Sequence, residues 1–254
     1  MNIGSAETSA TGRPDISVVV LCYKAGESVR ALVARLEESL EARALSYELI
    51  LVANYNASER AADPTPEIVK ELASRDRRAV AVALEKEGMF GWDVRTGLVR
   101  ASGDAIAYID GDGQNPVEDV VRAYDALCAA HADMALTYRV KRHDGLQRIF
   151  ISRAYNLLLR ALFPRVSVHD ANSKPKIFTR EALSRLALSS DDWFIDAEIV
   201  IQAAYKNFAV AQIPTVFHKN LHRSSFVTAR AVIVFLAELV QYRIRTWLNS
   251  GAQV

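Results

Sequence analysis

The sequence predicts an α/β protein: one mostly parallel, mixed central sheet with helices packed against it. Two observations lead there. Short apolar runs rich in valine, isoleucine and alanine alternate with longer stretches whose apolar residues recur at helical spacing. The runs also lack the in-out alternation of a half-exposed strand, so they read as strands covered on both faces. Residues 16–22 are the first such strand. Residues 27–40 follow as a helix, with Val29, Leu32, Val33, Leu36 and Leu40 on one face. Residues 48–53 are the second strand. Pro66 opens a helix through residue 72, because proline suits a first helical turn. Residues 79–84 form the third strand, 91–100 a helix and 105–110 the fourth strand. Pro116 opens the next helix, which points Val120, Tyr124 and Leu127 inward.

The second half is less regular. Residues 133–139 read as a strand, 146–163 as a long helix and 176–178 as a short strand. Helices at 179–188 and 197–205 precede a strand at 210–217. Residues 226–248 are helical in pattern and strongly apolar, but Arg230, Glu238, Arg243 and Arg245 interrupt them. That pattern suits a helix lying on a membrane surface, packing on the domain or meeting a second copy of the chain, rather than one spanning a bilayer. Residues 1–14, rich in small polar residues, read as a disordered tail. The division expected is therefore a tail at 1–14, one α/β domain at 15–225 and an amphipathic helical segment at 226–254.

Composition narrows the function. The formal charge of +1 argues against a nucleic-acid binder. Cys22 and Cys128 lie in apolar segments without metal-ligand spacing, so a disulfide scaffold is not expected and a reducing cytoplasm fits.

The chemistry is expected on Tyr108-Ile109-Asp110-Gly111-Asp112-Gly113-Gln114. Ligands of parallel α/β sheets bind beyond the carboxyl ends of the strands, and Asp110 stands at such an end. In extended backbone, Asp110 and Asp112 project the same way, and the glycines admit close approach. Two carboxylates near one point repel unless a cation lies between them. A hard divalent ion, Mg²⁺ or Mn²⁺, fits, with phosphate oxygens and water filling its remaining positions. The competing reading is a solvated Asp-Gly turn.

The order of motifs from about residue 16 to residue 225 resembles family 2 glycosyltransferases, and within them the branch of dolichyl- and polyprenyl-phosphate sugar synthases. Residues 16–24 resemble the family's opening strand and nucleotide-contacting loop. Residues 97–104 resemble its approach to the metal motif, and residues 108–116 its Asp-x-Asp-x-Gln segment. The resemblance implies a GT-A fold, with Asp110, Asp112 and Gln114 at the metal. It also implies Cys22, Tyr23, Asn54, Asp110, Gly111 and Asp112 at a UDP- or GDP-linked sugar. Asn54 stands where the family has an aspartate that contacts the nucleoside. Asp170-Ala171-Asn172-Ser173-Lys174-Pro175-Lys176-Ile177-Phe178 resembles the Asp-x-x-Ser-Gly-Phe region, which places Asp170 near the reacting centre; Lys174 and Pro175 depart from it. Asp196 is similar to the acid of an aromatic-Asp-x-Glu stretch, and as a carboxylate at a helix start it also suits a cap. Arg139, Arg148 and Ser152 correspond to phosphate-holding residues of the synthase branch, and Lys219 or Arg223 to an acceptor-side cation.

The resemblance implies inverting transfer of a sugar to a lipid-linked acceptor, either a polyprenyl phosphate or a growing lipid-linked glycan. Its setting would be surface polysaccharide or glycolipid synthesis, in the cytoplasm or peripherally on the inner face of a membrane. The acceptor decides the chemistry: a hydroxyl needs a base as it attacks, and an ionised phosphate needs none, so the resemblance implies Asp170, Asp196 or neither as a catalytic base. Other readings are transfer to a soluble saccharide, a sugar-phosphate nucleotidyltransferase, and a catalytically inactive binding protein on the same fold.

Overall fold

A computed structural model describes residues 12–142, 146–218 and 237–244, with side chains described outside 141–151. Among the described residues up to 218, seven strands and seven α-helices follow one another. They are β1 (Ile16–Leu21), α1 (Ser28–Ala42), β2 (Tyr47–Val52), α2 (Thr65–Arg75), β3 (Ala79–Val82), α3 (Phe90–Leu98) and β4 (Ala105–Asp110). The second half runs α4 (Glu118–Ala129), β5 (Met134–Arg142), α5 (Leu146–Leu162), β6 (Lys176–Thr179), α6 (Arg180–Ser184), α7 (Ile195–Tyr205) and β7 (Val210–Phe217). The strands make one sheet in the order β3-β2-β1-β4-β6-β5-β7. β3, β2, β1 and β4 run parallel, and so do β5 and β7. β6 runs antiparallel to both of its neighbours. The sheet is thus mixed, as expected, with its one reversed strand in the middle.

Period-2 side-chain alternation divides β1 between two cores. Val19 and Leu21 join one cluster with Tyr108, Phe178, Phe194 and Ile195, under α3, α5 and α7. Ile16, Val18 and Val20 join the other, under α1, α2 and α4. The predicted face of α1 is the buried one, from Val29 through Leu40. Some boundaries differ. α2 takes Pro66 in its first turn, but α4 begins two residues after Pro116. A short 3-10 turn at Ala57–Glu59, absent from the expected elements, precedes α2.

Of the apolar C-terminal segment, residues 237–244 are described, and they are helical. Leu239 is buried, and the Tyr242 ring lies 5.1 Å from Phe194 and 6.1 Å from Phe163. This stretch packs on the domain, while Val240 and Ile244 face outward. The rest of the expected helix lies outside the described residues. No helix among them is long and apolar enough to cross a membrane.

Candidate active site

The four parallel strands end on one edge, and their following loops build a groove there. β4 delivers Asp110 to that edge. Gly111 then passes against β1: its N–H donates to the Leu21 carbonyl at 2.9 Å, and a β-carbon on it would sit 2.9 Å from that same oxygen. Gly113 takes φ +72°, the left-handed turn that glycine adopts without cost. This turn lets the Gln114 N–H donate to Asp112 Oδ1 at 3.0 Å. Gln114 Nε2 in turn donates to the His218 carbonyl at 3.0 Å, tying the motif to the end of β7. Asp112 therefore sits on a short loop two residues beyond Asp110, and Gln114 braces that loop.

The reversed strand supplies what lies beneath. In the antiparallel register Lys176 pairs with Tyr108, so Lys174, two residues earlier, comes opposite Asp110. The Lys174 ammonium is 3.7 Å from Asp110 Oδ2 and 2.8 Å from Asp196 Oδ2, and it lies 4.6 Å from the centre of the Phe90 ring. Lys176 Nζ donates to Asp196 Oδ1 at 2.5 Å and to the Ser173 carbonyl at 3.0 Å. Tyr108 donates its hydroxyl to Asp196 Oδ1 at 2.6 Å. Burial alone would raise the Asp196 carboxyl, but the two ammoniums outweigh it and hold the group well below the usual carboxylate range. Burial pushes Lys176 down to about 8 against the pull of Asp196. Burial likewise raises Asp110; Lys174 opposes this, and Asp112 and Asp196 reinforce it.

Asp196 is 3 % exposed and engaged by three donors. Its carboxylate is turned inward onto these donors, and it does not cap α7, whose N-cap is Phe194.

Asp170 and Arg139 meet. Arg139 Nε donates to Asp170 Oδ2 at 2.6 Å and Nη2 to Oδ1 at 2.8 Å, with both side chains about one-tenth exposed. The Phe217 ring lies 5.2 Å from the guanidinium. The aspartate expected near the reacting centre and the expected phosphate-binding arginine are therefore partners in a two-point ion pair. Ser152 lies on α5, where its carbonyl accepts from Asn156 Nδ2. The Arg148 side chain, Lys219 and Arg223 lie outside the described residues.

Around Tyr23, expected at the nucleotide, a residue the sequence did not single out organises the loop. Glu59 accepts from the Tyr23 hydroxyl at 2.8 Å, from Lys24 Nζ at 2.7 Å and from Asn56 Nδ2 at 2.8 Å. These bonds, Lys24 first, hold the Glu59 carboxyl down at about 2. A cleft of about 480 Å³ opens between Lys24, Gly26, Glu59, Pro64 and Asp112. Two expected nucleotide contacts point elsewhere. Cys22 is fully buried, with its thiol on the Val20 carbonyl. Asn54 is 1 % exposed, and its amide is used inside: Nδ2 donates to Asp93 and Thr96, and Oδ1 accepts from the Leu84 N–H. Asp93, which accepts from Asn54, is buried against Lys86.

Among the described residues, no group of three or more His, Cys, Asp or Glu converges as a metal cage. The oxygen-only pair Asp110 and Asp112 suits a hard divalent ion that brings phosphate and water oxygens as further ligands.

Residues 17–187 match the family described as Glycosyl transferase family 2. The chain belongs to that family. Among curated proteins it is 29 % identical over 209 residues to glycosyltransferase AglD of Haloferax volcanii, covering 79 % of this chain and 32 % of the relative. It is 28 % identical over 147 residues to the undecaprenyl-phosphate 4-deoxy-4-formamido-L-arabinose transferase of Pectobacterium carotovorum, covering 58 % of this chain and 43 % of that protein. The chain thus spans less than half the length of these relatives. Among solved structures, the fold matches glucosyl-3-phosphoglycerate synthase from Mycobacterium tuberculosis in complex with Mn²⁺, UDP and phosphoglyceric acid. That match has a TM-score of 0.71 at 19 % identity and covers 92 % of this chain and 80 % of that one. The same enzyme with Mg²⁺ and UDP matches at a TM-score of 0.70 and 18 % identity, covering 92 % of this chain and 81 % of that one. The GT-A architecture expected from the sequence is the one observed.

Proposed function

We propose that this family 2 glycosyltransferase moves a sugar, with inversion, from a UDP- or GDP-linked donor to the phosphate of a polyprenyl phosphate. The observation that carries the choice of acceptor is the state of the two candidate bases. Asp170 is clamped by Arg139, and Asp196 is sealed under Lys174, Lys176 and Tyr108. Neither carboxylate is poised to take a proton from a hydroxyl, and a phosphate acceptor is already ionised. The curated relative from Pectobacterium, named for an undecaprenyl-phosphate acceptor, supports the same reading.

In this reading the cleft lined by Lys24, Glu59 and Asp112 takes the nucleoside diphosphate, with Asp112 toward its phosphates and Asp110 two residues before it at the end of β4. A divalent ion held there by Asp110 and Asp112, Mg²⁺ or Mn²⁺, supplies Lewis acidity to the departing diphosphate when bound. The chain's own residues do the rest by position. Gly111 lets the loop after β4 pass tightly against β1, and Gln114 fixes that loop against the end of β7. The acceptor oxygen attacks the anomeric carbon opposite the leaving diphosphate, and alignment supplies much of the rate. The protein would work on the cytoplasmic face of a membrane, where its acceptor lies.

The test offers radiolabelled UDP- and GDP-sugars with Mn²⁺ or Mg²⁺ to the full chain. Undecaprenyl phosphate in vesicles, a lipid-linked glycan and soluble saccharides are compared as acceptors. Label is expected in the lipid fraction with undecaprenyl phosphate. Label only in soluble products, or pyrophosphate release from a nucleoside triphosphate and a sugar phosphate, would overturn the reading.

A further inference from the structure

Two carboxylates and two ammoniums meet where β4, β6 and α7 come together: Asp110 and Asp196 against Lys174 and Lys176, with Asp112 two residues beyond Asp110. The two lysines are not equivalent. Lys176 is fully buried, and its ammonium is spent inward on Asp196 and the Ser173 carbonyl. Lys174 reaches the other way as well, to 3.7 Å from Asp110, and its side chain keeps 9 % of its surface open. It is held at both ends. Its carbonyl accepts from Thr137 Oγ1 at 2.7 Å, and its ammonium rests on the Phe90 ring and on Asp196. Arg139, the neighbouring cation, is committed to Asp170. A salt bridge that merely neutralised Asp196 would have no need to approach Asp110, since Lys176 and Tyr108 already engage Asp196.

A fixed ammonium beside an acidic pair acts in two opposite directions. It repels a second cation brought to the pair and attracts a polyanion brought to the same place. We propose that Lys174 is a positioning residue that supplies built-in positive charge to the donor-diphosphate site, making nucleotide binding less dependent on a divalent ion and ion binding weaker than the acidic pair alone would give. The inference rests on the reading of Asp110 and Asp112 as the diphosphate site.

The two opposed effects give a signature that a purely structural lysine lacks. Lys174→Gln keeps a donor for Asp196 and removes the charge; Lys174→Met removes both. Mn²⁺ binding without nucleotide is followed by electron paramagnetic resonance. UDP and GDP binding in chelator is followed by calorimetry. Relative to wild type, the Gln variant is expected to bind Mn²⁺ at least about threefold more tightly and the better nucleotide in chelator about tenfold more weakly, the directions set by the lost charge. The Met variant is expected to show the same pair of changes. Wild type alone provides a further check: it is expected to bind the nucleotide measurably in chelator. Variants that weaken both ligands together, or change neither, overturn the role of Lys174. So does a wild-type protein that binds nucleotide with Mn²⁺ but not at all in chelator. A wild-type protein that binds no nucleotide even with Mn²⁺ overturns the donor reading itself, and the Lys174 proposal with it.

Discussion

The Arg139 guanidinium grips both oxygens of Asp170, and the pair is nine-tenths buried. Each partner serves the other, so their substitutions should not add. Asp170→Asn strands a buried arginine charge, and Arg139→Ala strands a buried carboxylate; each is expected to cost about 3–5 kcal/mol of stability by loss of a buried partner. The double substitution should cost clearly less than the sum, a coupling that denaturant unfolding of the four proteins would measure. With a polyprenyl-phosphate acceptor, Asp170→Asn is also expected to lower the rate without removing the acid limb of the pH–rate profile. Loss of that limb would return Asp170 to the role of base.

Asp196 predicts how the protein responds to acid. Its folded pKa is depressed below the ordinary 3.8, because Lys174 and Lys176 outweigh burial. A depressed carboxylate contributes stability that is present above its unfolded pKa and lost as pH falls through the folded value. Unfolding free energy should therefore decline as pH drops below 3.8, and Asp196→Asn should flatten that decline. At neutral pH the same substitution leaves two buried ammoniums short of a partner, and about 3–5 kcal/mol of destabilisation is expected from urea denaturation. A neutral-pH effect under about 1 kcal/mol, as for an exposed pair, would contradict the burial observed.

The acidic pair itself predicts a separation of activity from stability. Asp110→Asn and Asp112→Asn remove carboxylates at and beyond the end of β4 while keeping side-chain size, and the Asp110 side chain is 25 % exposed, so the core is not opened. Each is expected to reduce turnover by about 10²–10³-fold, the usual scale for losing one electrostatic stabiliser of a developing charge. Thermal melts of the ligand-free proteins should stay close to wild type, while the upward shift given by UDP or GDP with Mn²⁺ should disappear. Turnover that survives both substitutions would favour a site elsewhere on the fold.

Much of the sheet was legible because its strands are short apolar runs between helical periodicities, and the buried face of α1 followed from spacing alone. The acidic pair was legible for the same reason: an apolar strand must end somewhere, and Asp110 marks where. What no spacing revealed was the company Asp110 keeps. β6 enters the sheet reversed between β4 and β5, and only that tertiary pairing brings Lys174 opposite Asp110 and Lys176 opposite Tyr108. One signal was present, a lysine at position 176 beside Ile177 and Phe178 in a short apolar strand; a charge there must find a partner. Nothing in the sequence named Asp196, 20 residues away, as that partner. Asn54 misled for a related reason. A polar residue at a strand end reads as a ligand contact, but its amide satisfies Asp93, Thr96 and the Leu84 N–H instead. Glu59 stayed hidden because a three-residue turn carries no periodicity.

Glu59 offers the sharpest test of the nucleoside cleft. Its carboxylate gathers Tyr23, Lys24 and Asn56 from two different loops, and the Lys24 bond leads in holding its pKa down at about 2. Glu59→Gln keeps the shape but weakens the bonds to Lys24 and Tyr23, since charge-assisted bonds are about twice as strong as neutral ones. Tyr23 and Lys24 should then lose their fixed positions. The expected result is a rise of about tenfold in the donor KM with kcat within about twofold, the pattern for lost uniform binding. The melting temperature should barely move, because the turn lies outside the buried clusters. The nucleotide's own stabilising effect also bears on this: at fixed UDP or GDP it should shrink in the variant in step with the weaker affinity. A change in kcat with KM untouched would place Glu59 outside the donor cleft and require Tyr23 and Lys24 to be ordered by something other than this carboxylate.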